Sequence, residues 1–218
     1  WESKFLGKFP KITKEHFHCK GSFDNPIEII KREGKEPIRQ EDCGGIFDHS
    51  LSIQNGKEFI YPILIDLLNH LQEHFEKPIE VTCGHRCPPH NIYSDNRKYN
   101  LASKHQIGAE VDFYIPGLEN HPQAVIKEIF AYYKKTPKYK SQKIYTNFER
   151  YQKDNTDVST LPWFNKEIFI KLYQKHEGRD KDNRHPYPYI SIQVRYDFEK
   201  QSSVRFNWDE AIKGYLRK

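Results

Sequence analysis

The chain has 218 residues, of which 36% are hydrophobic and 30% charged, and a formal net charge of +5. That length suits one domain with a modest core and an extensive polar surface. No apolar run approaches the ~20 residues that span a bilayer, and acidic and basic residues are interleaved, without the like-charge blocks that suggest nucleic-acid binding.

Taken in chain order, residues 1–42 show weak periodicity among scattered lysine, glycine and proline. They read as an N-terminal extension carrying a short strand and packed on the core, with the main domain over 43–218. Cys43-Gly44-Gly45 is a turn. Glu58 to Phe75 is the clearest predicted helix, with Phe59, Ile60, Ile63, Leu64, Leu67, Leu68 and Leu71 in one stripe and Pro62 tolerated in its first turn. Ile79 to Thr82 reads as a strand, Pro88 to Leu101 as a polar loop, and Ala109 to Ile115 as an alternating strand ended by Pro116-Gly117. Pro122 to Lys135 is a second helix, Lys143 to Phe148 a strand, and Trp163 to His176 a third helix. Tyr189 to Asp197 and Val204 to Trp208 read as a hairpin. This order predicts an α+β fold with a mainly antiparallel central sheet flanked by helices.

One stretch carries chemistry. Ser103-Lys104-His105-Gln106-Ile107-Gly108-Ala109-Glu110-Val111-Asp112 places a histidine on a loop and an aspartate on the following strand, with a glycine between them. A neutral imidazole and a carboxylate are common ligands of enzymic zinc. The chain has 11 histidines, so none counts alone, and Asp112 read by itself is a buried acid capping a loop. Glu110 shares the Asp112 face of a pleated strand, where it is a simple exposed acid or a group beside the site. The aromatics, Tyr187, Tyr189 and Trp163 among them, read as core and rim.

The pattern Ser-x-His-x-x-Gly-x-x-x-Asp resembles the signature of the zinc D-alanyl-D-alanine peptidases, which share the hedgehog/DD-peptidase fold and cut peptidoglycan stem peptides. Upstream, Val81-Thr82-Cys83-Gly84-His85-Arg86-Cys87-Pro88-Pro89-His90-Asn91 is similar to that family's strand–Gly–aromatic–Arg–turn–Asn element. The likeness covers about Ile79 to Ile115. It implies zinc on His105 and Asp112, Arg86 on the substrate carboxylate through a guanidinium fork, and Ser103 as a substrate-holding residue. A third ligand is expected from the later segment Asp180–Arg195, in one of two registers. Aligning histidines makes His185 the ligand and Asp182 the general base. Aligning strands puts Ser191 at the ligand position, with Gln193 on the same face and two strong ligands left. The first register is the one adopted.

The resemblance implies a zinc-dependent carboxypeptidase or endopeptidase acting on peptidoglycan stem peptides, periplasmic or secreted. The alternatives are a peptide-binding protein that has kept the fold and lost catalysis, and a peptidase for other peptides. The chain opens on Trp1 rather than methionine, which predicts a processed chain with its export signal removed. Four cysteines permit two disulfides with three connectivities. Local spacing favours Cys19–Cys43 with Cys83–Cys87. Zinc on the Cys83/Cys87 pair is disfavoured because no second cysteine pair follows at a suitable distance.

Overall fold

The computed structural model describes residues 5–47, 49–94, 102–153 and 155–215. Its centre is a six-stranded sheet in the order Glu80–Cys83, Glu110–Tyr114, Tyr189–Val194, Ile168–Tyr173, Trp163–Phe164, Glu149–Arg150. Every neighbouring pair in it is antiparallel, so the chain is α+β with an antiparallel sheet.

Strand alternation gives the sheet two different faces. Val111 and Phe113, Ile190, Ile192 and Val194, and Ile168, Ile170 and Leu172 join one apolar cluster with helices Pro62–Phe75 and Pro122–Lys135. Leu64, Leu67, Leu68 and Leu71 supply the buried stripe of the first helix, and Val125, Ile126 and Ile129 that of the second. The other face carries Glu110 and Asp112, Gln193, and Lys171 and Tyr173, which line a cleft, with the buried Ser191 beside them.

The N-terminal segment is stitched to this core. The Asn69 side chain accepts from the Ile12 amide at 2.9 Å and donates to its carbonyl at 2.8 Å. Phe17 is fully buried, and its carbonyl accepts from the His85 amide. Beyond it lies an exposed hairpin, Glu28–Arg32 with Lys35–Gln40.

Several local expectations need correcting. The first helix starts at Pro62, because Phe59 and Ile60 follow a hairpin of Ile53–Gln54 and Lys57–Glu58. Asn55 and Gly56 turn that hairpin with positive φ, an Asn-Gly signal with a known mechanism. The expected helix over Trp163 to His176 is instead two strands, turned by Asn165, whose side-chain oxygen accepts from the Glu167 and Ile168 amides. Lys143–Thr146 is a helical turn rather than a strand, and Pro88–Ser94 is a short helix where a loop is expected. Residues 95–101 of that loop lie outside the described residues. Tyr189–Val194 pairs inside the sheet, a separate small hairpin joins Tyr196–Asp197 to Ser202–Ser203, and Trp208–Tyr215 is helical.

One core acid should make stability depend on pH. Glu167 is buried and accepts the Tyr133 hydroxyl at 2.9 Å. Burial pushes its carboxyl up to about 7, above the unfolded value of ~4.3. The stability it contributes is therefore complete below pH ~4.3 and lost as pH rises through 7. Glu167→Gln should leave denaturant stability little changed at pH 4 and raise it by on the order of 2–3 kcal/mol at pH 8. An equal effect at both pH values would contradict this.

Candidate metal centre

His105 sits in a single 3-10 turn, Lys104–Ile107, whose geometry explains the motif around it. Ser103 caps the turn: its hydroxyl accepts from the His105 amide at 3.3 Å, and its amide donates to the Gln106 side chain at 2.7 Å. Gly108 ends the turn at φ 69°, where a Cβ would lie 2.5 Å from the Phe59 carbonyl, so only glycine fits. Asp112 follows on the Glu110–Tyr114 strand, directly opposite Ser191.

The His105 ring is fixed at one end and open at the other. Nδ1 donates to the Gly84 carbonyl at 2.7 Å and has Cys83 Sγ beside it at 3.4 Å, which leaves Nε2 as the lone-pair nitrogen, 3.6 Å from Asp112 Oδ2 and 3.7 Å from Glu110 Oε1. Two ligands of one tetrahedral zinc at ~2.0–2.1 Å lie ~3.3 Å apart. A carbonyl that fixes the tautomer of a ligating histidine is a common support of metal sites. Asp112 Oδ2 accepts from Asn183 at 2.9 Å, whereas the buried Asp112 Oδ1 has no hydrogen-bond partner among the described residues. Burial pushes the His105 imidazole down, but Glu110 and Asp112 outweigh it and raise the pKa to about 9. Without a cation, a proton collects where positive charge is wanted.

The third ligand-type atom belongs to Cys83. Cys83, His105 and Asp112 are all buried, and one ligand atom of each lies within 4.8 Å of the other two. A β-bulge brings the thiol there. The register steps from Val81 opposite Phe113 to Cys83 opposite Asp112, with Thr82 as the extra residue. Plain alternation would put Cys83 on the core side with Val81; the bulge turns it to the Asp112 side. Buried cysteine, histidine and aspartate groups of this kind could hold a metal ion.

The expected His185 is not part of this group. Its ring packs 4.8 Å from the Tyr114 ring, and its Nδ1 accepts from the Tyr187 amide. The prolines that flank Tyr187 carry the segment across the aromatic rim rather than to the ion site. Asp182, expected as the base, accepts from Arg86 Nε at 2.7 Å and pairs with His90 at 2.8 Å. Burial raises its pKa, but Arg86 and His90 outweigh it and hold the carboxyl well below the usual carboxylate range, which makes it a weak base. Arg86 itself lines the cleft, but its Nη2 is taken by Asp180. Ser103 also lines the cleft while its hydroxyl caps the His105 turn.

Glu110 is buried rather than the exposed acid its strand position suggests. Its Oε1 accepts from Ser191 at 2.9 Å and from Gln193 at 2.7 Å, at the floor of the cleft. Strand alternation puts Ser191 with Gln193 and Glu110 with Asp112, and the pairing of the two strands brings them onto one face. The cleft has a volume of about 470 Å³. Four cations, Arg86, Lys104, Lys171 and Arg179, face four carboxylates, Glu110, Asp112, Asp157 and Asp180, in its described lining.

The expected disulfides do not form. All four cysteines are free and buried, and Cys83 and Cys87 point into different clusters. No helix among the described residues is long and apolar enough to cross a membrane. No protein-family model matches the chain, and neither a curated protein nor a solved structure shows a significant match to it.

Proposed function

We propose that the protein is a zinc-dependent peptidase of the D-alanyl-D-alanine type, acting on cell-wall stem peptides, with Cys83, His105 and Asp112 as the metal ligands. The observation that carries this reading is the convergence of three buried ligand-type side chains, one with an orphaned carboxylate oxygen, two of which, His105 and Asp112, line an open cleft. Three protein ligands with a position left for water are the usual composition of a catalytic zinc site. When bound, zinc supplies a Lewis acid for the scissile carbonyl and lowers the pKa of its water.

The chain's own residues divide the remaining work. Glu110, held by Ser191 and Gln193 beside His105 Nε2, is placed to accept the water proton and return it to the leaving amine. Ser103 holds the ligand turn in place. Arg86 is fixed by two aspartates, so a substrate carboxylate would rely on the other basic groups of the cleft, Lys104, Lys171 and Arg179. Action on peptidoglycan also requires export, which belongs to the same proposal.

A peptide-binding protein without catalysis is the second reading, and Ser191 favours it. This serine lies directly opposite Asp112, at the position where the strand register of the resembling family places a ligand histidine. Hydrolysis of peptides ending in D-Ala-D-Ala, followed by amine release, separates the two. The peptidase reading expects turnover that a chelator abolishes and stoichiometric zinc restores, with L-Ala-L-Ala peptides cut at least tenfold more slowly. Saturable binding of the D-peptide by zinc-loaded protein, with no turnover, would overturn it in favour of the binding protein.

A further inference from the structure

A second cluster lies apart from the cleft. Cys19, Cys43, His49 and Cys87 are all buried, and one ligand atom from each lies within 4.8 Å of the other three. They come from three separate segments: the turn after the Lys14–Phe17 helix, the loop around the Gly45–Phe47 helix, and the start of the Pro88–Ser94 helix.

The spacing of the atoms is that of an ion's ligands rather than of a bond. Cys19 Sγ and Cys43 Sγ are 3.7 Å apart. Two thiolates on one tetrahedral zinc, each at ~2.3 Å, lie ~3.8 Å apart, whereas a disulfide holds its sulfurs at ~2.05 Å. His49 Nε2 is 3.3 Å from Cys43 Sγ, and Nδ1 donates to the Ser50 carbonyl at 3.0 Å. That contact fixes the tautomer so that Nε2 presents its lone pair to the sulfurs.

The surroundings are built to support thiolates. The Gly45 amide points at Cys43 Sγ at 3.4 Å and the His90 amide at Cys87 Sγ at 3.3 Å. Gly21 brings its backbone so close that a Cβ there would lie 2.1 Å from Cys43 Sγ. A neighbouring triad, Asp42, Cys43 and His90, is not a rival site. His90 spends both ring nitrogens, on Asp42 at 2.6 Å and on Asp182 at 2.8 Å.

We infer that Cys19, Cys43, His49 and Cys87 form a closed, structural zinc site. Three thiolates and one imidazole saturate a tetrahedral ion and leave no position for substrate, which is the composition of structural rather than catalytic zinc. The ion ties the N-terminal segment to the residue that follows Arg86. Its ligands reach the cleft through hydrogen bonds, since Asp42 accepts from the Cys43 amide and pairs with His90, which pairs with Asp182.

The test separates this ion from the one proposed in the cleft. His105→Ala with Asp112→Ala removes two cleft ligands and leaves this cluster untouched. That variant, purified without chelator and given zinc, should hold one ion per chain, with X-ray absorption showing three sulfurs at ~2.3 Å and one nitrogen at ~2.0–2.1 Å. Adding Cys19→Ser should bring the zinc content to near zero. Should these variants fail to fold, wild-type protein decides through sulfurs per zinc: two or more with this site filled, one or fewer without it. No zinc in the folded cleft variant, a sulfur-poor shell, or a native mass short by two protons for a Cys19–Cys43 bridge would overturn the inference.

Discussion

Replacing Arg86 with alanine should destabilise the fold by about 3–5 kcal/mol, the usual cost of removing one partner from a buried ion pair. Arg86 is buried, with its Nε on Asp182 and its Nη2 on Asp180. Without it, Asp182 keeps His90 and Cys83 but no guanidinium, and Asp180 loses its cation. Arg86 also helps hold Asp182 below the usual carboxylate range. The stability this pairing gives is present above the unfolded pKa of ~3.9 and is lost as pH falls through the depressed folded value. The variant should therefore lose most stability, relative to wild type, at neutral pH and less of it in strong acid. Denaturant unfolding at pH 7 and at steps down the acid limb below pH 4 measures this. Unchanged stability, together with weaker cleavage of free-carboxylate peptides only, would instead return Arg86 to the substrate-binding role that the resemblance implies.

Glu110→Gln should lower turnover by about 10²–10⁴-fold, the range for loss of a positioned general base, while the cleft metal stays bound. An amide cannot accept the water proton, but it is nearly isosteric and can keep its contacts with Ser191 and Gln193. Asp182→Asn should act differently. It breaks the Arg86 and His90 pairings, so its effect falls on stability as well as on rate. Steady-state kinetics with metal analysis on both variants checks the assignment. If Glu110→Gln retained full activity, proton transfer would have to be assigned elsewhere.

The parts of the site legible in the sequence were those governed by local rules. The expected loop histidine and strand aspartate do meet, His105 Nε2 lying 3.6 Å from Asp112 Oδ2, because Ser103 caps the turn and Gly108 closes it. Alternation likewise put Ser191 and Gln193 on one face, where they now hold Glu110. Cys83 was not legible, because its position depends on a bulge at Thr82 that nothing in Val81-Thr82-Cys83 announces. The Trp163 to His176 segment misled because aromatic and aliphatic residues occupy nearly every position, which hides period two. Asn165 in a tight turn was the available signal. The cysteine cluster depends on three distant segments meeting, and sequence spacing carries no trace of it beyond glycines near Cys19 and Cys43. Because the four cysteines form no disulfide, they lend no support to an oxidising compartment.

The central claim is that the cleft metal is held by Cys83, His105 and Asp112, with His185 playing no part. Zinc titration of chelator-stripped protein, with competition by a coloured chelator, reads it directly in three variants. Cys83→Ala and His105→Ala should each weaken the cleft site by orders of magnitude, as loss of one of three ligands demands, while His185→Ala should stay within a few-fold of wild type. A large loss in His185→Ala with Cys83→Ala unaffected would contradict the account and restore the histidine register.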